Sequence, residues 1–249
     1  MPAPDTDTAA PMNPLLPAFE HFRLQLDAHH DRRERTIKAS RDITAASKKI
    51  IFALQRVRTT PHPLPPPIRA AIAPHYASIA ALLAGLAADL RPAPHRYARH
   101  FAPALQELLE ARTLHHYLET GTLLAPAAAD LPLPLDPADY LGAVYDLSGE
   151  MMRFAITALA TGSASPTNST SSTSPTSSVP PVPPSVPLTL LADLRTLRAQ
   201  LDRLPPPPGP TGRELARKGP VMHASVEKVE RALYGWTVRG AERPGGGWR

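Results

Sequence analysis

Apolar residues along this chain recur at helical spacing in six stretches, which proline-rich segments separate from one another. The first stretch, Phe19 to Arg58, contains no proline or glycine and stops at the segment PHPLPPP, residues 61–67. Its apolar positions lie close to the helical period at Ile37, Ile43, Ile50, Leu54 and Val57. We therefore predict one long amphipathic helix, preceded by a disordered tail over residues 1–16.

Three more helices are predicted before residue 163. Residues 68–90 are so rich in Ala and Leu that we expect this helix to be buried between neighbours. A third helix extends from residue 95 to about residue 124, and Pro103 within it predicts either a kink or a later start. A fourth begins near Asp136, where an aspartate cap followed by Pro137 is typical of a helix start, and runs to about Thr161.

The rest of the chain contains a low-complexity segment and two helices. Residues 163–187 are rich in Ser, Thr and Pro, and such a linker cannot bury enough apolar surface to become ordered. Helices are predicted over Leu188–Leu204 and Pro220–Arg239, and residues 241–249 form a flexible tail. The chain is therefore predicted to be all-α, one antiparallel bundle of about six helices built from residues 17–162 and 188–240.

Composition supports the helical prediction and limits the chemistry. The chain is 43% hydrophobic but only 5% aromatic, and it lacks cysteine, which excludes thiolate catalysis and cysteine-bound zinc. A net charge of +5 favours a polyanionic partner. No apolar run reaches the ~20 residues that span a bilayer, and the start of the chain does not resemble a secretory signal. We expect no membrane association, and a protein of the nucleus and cytoplasm.

Two acidic pairs are the candidate chemistry. Glu107 and Glu110 are three residues apart, Asp146 and Glu150 are four apart, and each pair projects from one face of its predicted helix. Both pairs interrupt apolar stretches, so the four carboxylates can meet between two packed helices. Crowded carboxylates repel one another, and a hard divalent cation such as Mg²⁺, with Mn²⁺ as an alternative, relieves that repulsion. A metal held in this way activates water for attack at phosphorus.

Other interpretations of these acids remain open at this point. Acidic pairs at helical spacing are usually solvated surface. The chain has no Gly-rich phosphate loop and no His-Glu-x-x-His pattern, and a di-iron bundle would require Glu-x-x-His pairs, which these helices lack. An unrelated metal-carboxylate bundle that acts on small molecules is a further alternative.

Basic residues precede the acidic pairs. On the third helix, Arg96 and His100 lie at offsets of seven or more residues from Glu107, on the same helical face if the helix continues past Pro103. One end of the helix would then bind phosphate groups and the other end a metal ion. Contacts with the phosphate backbone of a nucleic acid hold the strand without reading its sequence. His115 and His116 are more simply packing residues than catalytic ones.

Five segments carry a resemblance to a known family. HDRRERTIKASRDITAASKKIIFALQR resembles the first helix of the translin-associated factor X (Trax) family, fungal type. So do QELLEA, HHYLETGTL, DYLGAVYDLSGEMMR and VEKVERALYGWTVRGAE, in the same order. The DLSGE block also separates this chain from the paralogue translin, which resembles it in YLET and VRG.

The resemblance implies a translin-like bundle of six to seven helices. It also implies assembly with translin into a closed hetero-oligomer, an octamer by resemblance, and a Mg²⁺-dependent endoribonuclease site within that shell. The acidic ligands correspond to Glu107, Glu110, Asp146 and Glu150, and translin-like basic contacts to Arg96 and His100. Implied substrates are RNA-silencing passenger strands and transfer-RNA precursor fragments, with single-stranded DNA as another bound polyanion. The alternative is a non-catalytic translin partner that binds single-stranded RNA or DNA.

Overall fold

A computed structural model describes residues 15–58, 60–162, 185–205 and 207–242. These residues form six α-helices and one short 3₁₀ turn, without strands in the described ranges. The helices are α1 (Leu16–Leu54), α2 (Pro66–Leu90), α3 (Pro94–Thr120), α4 (Pro137–Gly162), α5 (Ser185–Leu201) and α6 (Gly209–Glu242). The 3₁₀ turn, Pro126–Ala129, was not predicted. The predicted all-α bundle is confirmed.

Helix ends follow the local chemistry that the sequence indicates. Prolines occupy the first turns of α2 and α3, where their missing N–H group costs no hydrogen bond. Asp136 accepts a hydrogen bond from the Ala138 backbone N–H at 2.8 Å, so α4 begins where the cap predicted. At the end of α3, Gly121 adopts φ 72° and donates to the Tyr117 carbonyl at 2.8 Å.

Prolines inside helices account for two differences from prediction. Pro103 does not interrupt α3, which is helical from Pro94 to Thr120, so of the two predicted alternatives, a kink or a later start, the later start is excluded. Pro220 lies inside α6, which begins eleven residues earlier than predicted, at Gly209. A proline inside a helix removes only one backbone hydrogen bond, and packing against the rest of the bundle can offset that loss.

The core lies between α1, α3, α4 and α6, with α5 packed against α4 and α6. The second helix packs mainly against α1 and buries one stripe, which consists of Ile68, Ile72, Ile79, Leu83, Leu86 and Leu90. The expectation that α2 is buried between neighbours is therefore wrong for this chain alone. Contrary to the prediction that no apolar run is long enough, α2 could cross a membrane by length and composition, and 22% of its most apolar window is buried in this chain. A single helix of this kind is weak evidence for a membrane span.

Several predicted segments lie largely outside the described residues. These are the N-terminal tail up to residue 14, the Ser/Thr/Pro linker over 163–184 and the last seven residues, 243–249. At the described edges, Leu16 already belongs to α1 and residues 185–187 belong to α5.

Candidate functional site

The third helix carries the first acidic pair because its apolar positions fix its rotation. Leu108 and Leu109 are fully buried, which leaves Glu107 at the edge of the core with 21% of its side chain exposed. Glu110, one turn further, is 8% exposed. The helix runs unbroken through Pro103, so Glu107 and Glu110 lie on the same continuous helix as the residues before the proline.

The fourth helix brings the second pair to the same region. A close approach of α3 and α4 occurs at Gly142, where a β-carbon would lie 3.1 Å from the Gln106 side chain. Gln106 crosses this gap and donates to Asp139 at 3.0 Å. One turn beyond Gly142, Asp146 and Glu150 follow on either side of the buried residue Leu147.

The four predicted acids share one electrostatic environment centred on Glu110. Burial first, and then the charges of Glu107, Asp146 and Glu150 in that order, raise the pKa of Glu110 to about 8. Burial also raises the pKa of Glu107, against the opposing charge of Lys48. Within the described part of the chain, nothing donates a hydrogen bond to the Glu110 carboxylate. A largely buried acid, with three other acids around it, is the unexpected feature of this site.

The other three acids are held by neighbours from α1 and its C-cap, α4 and α6. Lys218 of α6 forms an ion pair with Asp146, and the Nζ atom of Lys48 lies 3.9 Å from Glu107. Glu150 accepts a hydrogen bond from the Gln55 amide at 2.7 Å and one from Arg153 at 3.0 Å. These cations and donors offset the repulsion that four adjacent carboxylates would otherwise produce.

A cavity of about 450 Å³ opens over the acids, lined by residues that include Glu107, Glu110, Glu150, Lys48 and Arg153. The all-oxygen donor set fits a hard divalent ion, and the unpaired Glu110 supplies an acceptor that such an ion would satisfy. In the described residues, however, no three His, Asp or Glu side chains are arranged to hold a metal ion. The Mg²⁺ or Mn²⁺ site therefore stays a prediction, in which Glu107, Glu110 and Glu150 face the cavity and Asp146 is held aside by Lys218.

Two residues of this site escaped the sequence analysis. Gln55 contacts Glu150 across 95 residues of sequence, and Lys218 contacts Asp146 across 72. No local spacing connects such positions. Lys218 also precedes Pro220, the predicted start of the last helix, so it lay outside the predicted helices.

The predicted phosphate-binding residues lie on α3, apart from the cavity. Arg96 is exposed, and His100 is partly buried beside Arg99, whose Nε atom donates to the His100 ring at 3.3 Å. Eleven residues separate Arg96 from Glu107, which is roughly 16 Å along a helix and returns to the same face. Their role in binding nucleic acid stays a prediction.

The adjacent histidines on α3 serve in packing. His115 stacks on Tyr76 with ring centroids 5.8 Å apart and lies 3.5 Å from Glu119. Burial is the main cause that lowers the pKa of His115. His116 contacts Thr122 at 3.0 Å near the end of the helix. Neither histidine lines the acidic cavity.

Comparisons with known proteins were made on sequence and on fold. The model of the Translin family matches residues 31–240. Translin-associated protein X of Mus musculus is 28% identical over 262 residues, which cover 93% of this chain and 81% of that protein. The Translin-associated protein X homolog of Schizosaccharomyces pombe is 34% identical over 146 residues, 56% of this chain and 61% of that protein.

Solved structures of AfC3PO are similar to this chain. AfC3PO matches with a TM-score of 0.66 at 19% identity, covering 89% of this chain and 98% of that chain. The structure of the AfC3PO complex with duplex RNA matches with a TM-score of 0.64 at 18% identity, covering 89% of this chain and 97% of that chain. At such low identity these likenesses establish the fold alone.

Proposed function

The chain belongs to the translin family, and from that premise we propose that it is a metal-dependent endoribonuclease subunit of a translin-type hetero-oligomer, acting on single-stranded or small RNA. Family membership and the similarity to Translin-associated protein X support the coarser statement, a translin partner that binds nucleic acid. The catalytic part of the proposal rests on the geometry of the acidic cavity.

The observation that carries this proposal is Glu110. A carboxylate that is 8% exposed, without a partner among the described residues and raised in pKa to about 8, is costly to keep in the folded chain. Such a cost is expected at a functional site and has no structural benefit here. Mg²⁺ bound by Glu107, Glu110, Asp146 and Glu150 would supply Lewis-acid activation of water and of the scissile phosphate.

The chain's own residues divide the remaining tasks. Lys48 and Arg153 stand at the rim of the cavity with 66% and 63% of their side chains exposed, where they can bind phosphate oxygens. Gln55 holds the Glu150 carboxylate from α1 and so fixes its orientation. Glu107, on the cavity wall and raised in pKa by burial, is placed to accept a proton from attacking water.

Exposed apolar surface supports assembly with a partner. Four apolar residues at the start of α1, one of them its N-cap, repeat at spacings of four, three and four residues. These are Leu15, Phe19, Phe22 and Leu26, and each is more than half exposed. The outer face of α2 is apolar as well, since only 22% of its most apolar window is buried. Surface of this kind is typical of an interface, here with a translin-type subunit.

A second function, a non-catalytic translin partner that binds RNA, has one observation in its favour. The four acids are not arranged as a metal-ligand set among the described residues, and Lys218 already neutralises Asp146. Under this alternative the lysine makes the acidic cluster tolerable without any metal.

Cleavage assays on the co-purified hetero-oligomer distinguish the two functions. Labelled single-stranded RNA is incubated with Mg²⁺ or with EDTA, using the wild-type chain and the variants Glu107→Gln and Asp146→Asn. We expect Mg²⁺-dependent cleavage that falls by at least two orders of magnitude in both variants while the oligomer stays intact. Glu227→Gln, an exposed acid on α6, is the control. Binding without cleavage by the wild-type complex would establish the non-catalytic role.

A further inference from the structure

A second groove lies beside the acidic cavity, between α1 and α2. Its volume is about 550 Å³. It is lined by Lys48, Lys49 and Phe52 of α1, by Arg56 in the turn after α1 and by His75 of α2, together with two alanines. The proposed cleavage site does not use Lys49, Phe52, Arg56 or His75.

The charged residues that line this groove are all basic, and most of them form no ion pair with the described residues. No acidic residue lines it. Lys49 and Arg56 are exposed, and neither these two side chains nor His75 forms a hydrogen bond or ion pair within the described ranges. Lys48 has only the 3.9 Å contact with Glu107. Unpaired cations that share a concave surface favour an anionic ligand.

Phe52 connects the groove to the acidic cavity. Its side chain is 74% exposed, and it lines both depressions, as does Lys48. An aromatic ring in water does nothing for the stability of the core, and its flat face is available to another planar group. In the sequence the ring is flanked by Lys49 on α1 and by Arg56 in the turn after it, three and four residues away, so cations stand on both sides of it.

The groove has the dimensions of a short nucleic-acid track. Lys48 to Arg56 spans eight residues, roughly 12 Å at 1.5 Å per residue. That length matches about three stacked nucleotides at 3.4 Å each. A strand lying along it would pass directly from the basic groove over Phe52 to the cavity of Glu107 and Glu150.

From these features we infer that the groove is a binding site for single-stranded RNA, in which one base stacks on Phe52 and the flanking phosphates contact Lys49 and Arg56. The inference rests on the proposed function and deepens it, because the neighbouring phosphodiester then lies over the acidic cavity. Stacking requires a base that is free of its own helix, so the site selects unpaired RNA over duplex. Binding to bases through their faces carries no sequence preference.

The unpaired cations favour RNA over a protein partner at this place. The apolar surfaces suited to a partner subunit lie elsewhere, on the first turns of α1 and the outer face of α2. A protein partner for this groove would have to bring acids to meet three basic side chains around one aromatic ring. RNA supplies both the anions and the flat rings in every nucleotide.

Binding is measured by fluorescence anisotropy in EDTA, with the intact hetero-oligomer and a labelled oligoadenylate, beside a blunt duplex of the same length. EDTA separates this site from the metal chemistry, so a failed nuclease proposal leaves the measurement informative. We expect Phe52→Ala to weaken single-strand binding roughly 5- to 150-fold, the range for loss of one base–aromatic stack. Phe52→Trp should retain binding. Tyr234→Ala, which removes an aromatic ring of equal 74% exposure on α6, is the matched control.

An abasic nucleotide provides the decisive comparison. If one base stacks on Phe52, moving a single abasic site along the oligoadenylate should weaken wild-type binding at one position and leave Phe52→Ala unaffected there. Equal affinity of wild type and Phe52→Ala for the single strand would overturn the inference. An equal loss of single-strand and duplex affinity in Phe52→Ala would overturn it as well. So would dissociation of the oligomer by Phe52→Ala on size-exclusion chromatography, because the ring would then belong to a subunit interface.

Discussion

The Lys218 ammonium of α6 pairs with the Asp146 carboxylate of α4, beside the three other acidic side chains of the cavity. The same ammonium donates to the Gly142 carbonyl at 3.3 Å, and only 20% of the lysine side chain is exposed. Lys218 therefore occupies the position of a counter-ion. A divalent cation that binds Asp146 has to displace this lysine.

Removal of the competing lysine should tighten metal binding. We expect Lys218→Met to increase the affinity for Mg²⁺ roughly tenfold, equivalent to about 1.4 kcal/mol, the scale of one charged hydrogen bond. In EDTA the same variant should melt at a lower temperature, because Asp146 then loses its counter-charge. Mg²⁺-dependent shifts in melting temperature measure both effects. Lys228→Met, at an exposed lysine of the same helix, is the control, and weaker Mg²⁺ binding by Lys218→Met would contradict this role.

Sequence reasoning predicted the parts of this molecule that local spacing determines. The acidic pairs lie on α3 and α4 because Leu108, Leu109 and Leu147 are fully buried, and that pattern is visible in the sequence. The cap at Asp136 placed the start of α4 within one residue. The presence of a helix, and the face that it buries, depend on residues three and four positions apart in the sequence, so both could be predicted.

What escaped prediction depends on tertiary packing. Gln55 reaches Glu150 because α1 and α4 both pack against α3, and Lys218 reaches Asp146 because α6 packs against α4. No sequence interval of 95 or 72 residues indicates such a contact. Pro220 was taken as a helix start by its local preference, whereas the bundle extends α6 on both sides of it. The sequence analysis also expected the outer face of α2 to be buried. An apolar pattern shows that a face is suited to packing, but it does not show whether the same chain covers that face.

The close approach of α3 and α4 should be sensitive to side-chain size. Gly142→Leu places a bulky group where a β-carbon already lies 3.1 Å from Gln106, so we expect destabilisation of about 1–3 kcal/mol by overpacking. Gly85→Leu is the matched control, because a β-carbon there meets nothing within 4 Å. Urea unfolding of both variants measures the difference, and equal stability would show that Gln106 moves aside without cost.

Glu110 should make stability fall as the pH rises. Its pKa is raised from 4.5 to about 8 by burial and by neighbouring acids, so the folded chain binds this proton more tightly than the unfolded chain. Because of this difference in proton binding, the contribution of Glu110 to the free energy of unfolding is fully present below pH 4.5 and is lost as the pH rises to about 8. Glu110→Gln removes that decline. In EDTA we expect the variant to match wild type at low pH and to exceed it by a few kcal/mol above pH 8.

Urea unfolding at a series of pH values tests this expectation. Glu20→Gln, an exposed acid on α1, should follow wild type throughout. A pH-independent difference between Glu110→Gln and wild type would mean that the acid is solvated and ionised in the folded chain. The stabilised variant should also lose Mg²⁺-dependent cleavage, since the neutral amide is a poorer ligand.

Arg96 and His100 should contribute differently to RNA binding at neutral pH. Burial, followed by the charges of Arg99 and Arg33, lowers the pKa of His100 below its usual 6.5, so at pH 7 the ring is uncharged. Arg96 is exposed and keeps its charge. Each phosphate contact made by a cation adds about 0.7 to the slope of log affinity against log salt for a single strand.

Arg96→Gln should therefore reduce that salt slope by about 0.7 at any pH, if this end of α3 holds the RNA backbone. His100→Gln should leave the slope unchanged at pH 7 and reduce it only well below pH 6.5, where the wild-type ring gains its proton. Salt titrations of oligoadenylate binding to the intact oligomer measure both slopes. Arg203→Gln, at an exposed arginine just beyond α5, should not alter either one. An unchanged slope for Arg96→Gln would place the RNA track elsewhere on the molecule, since a cation that contacts phosphate cannot be removed without releasing fewer counter-ions.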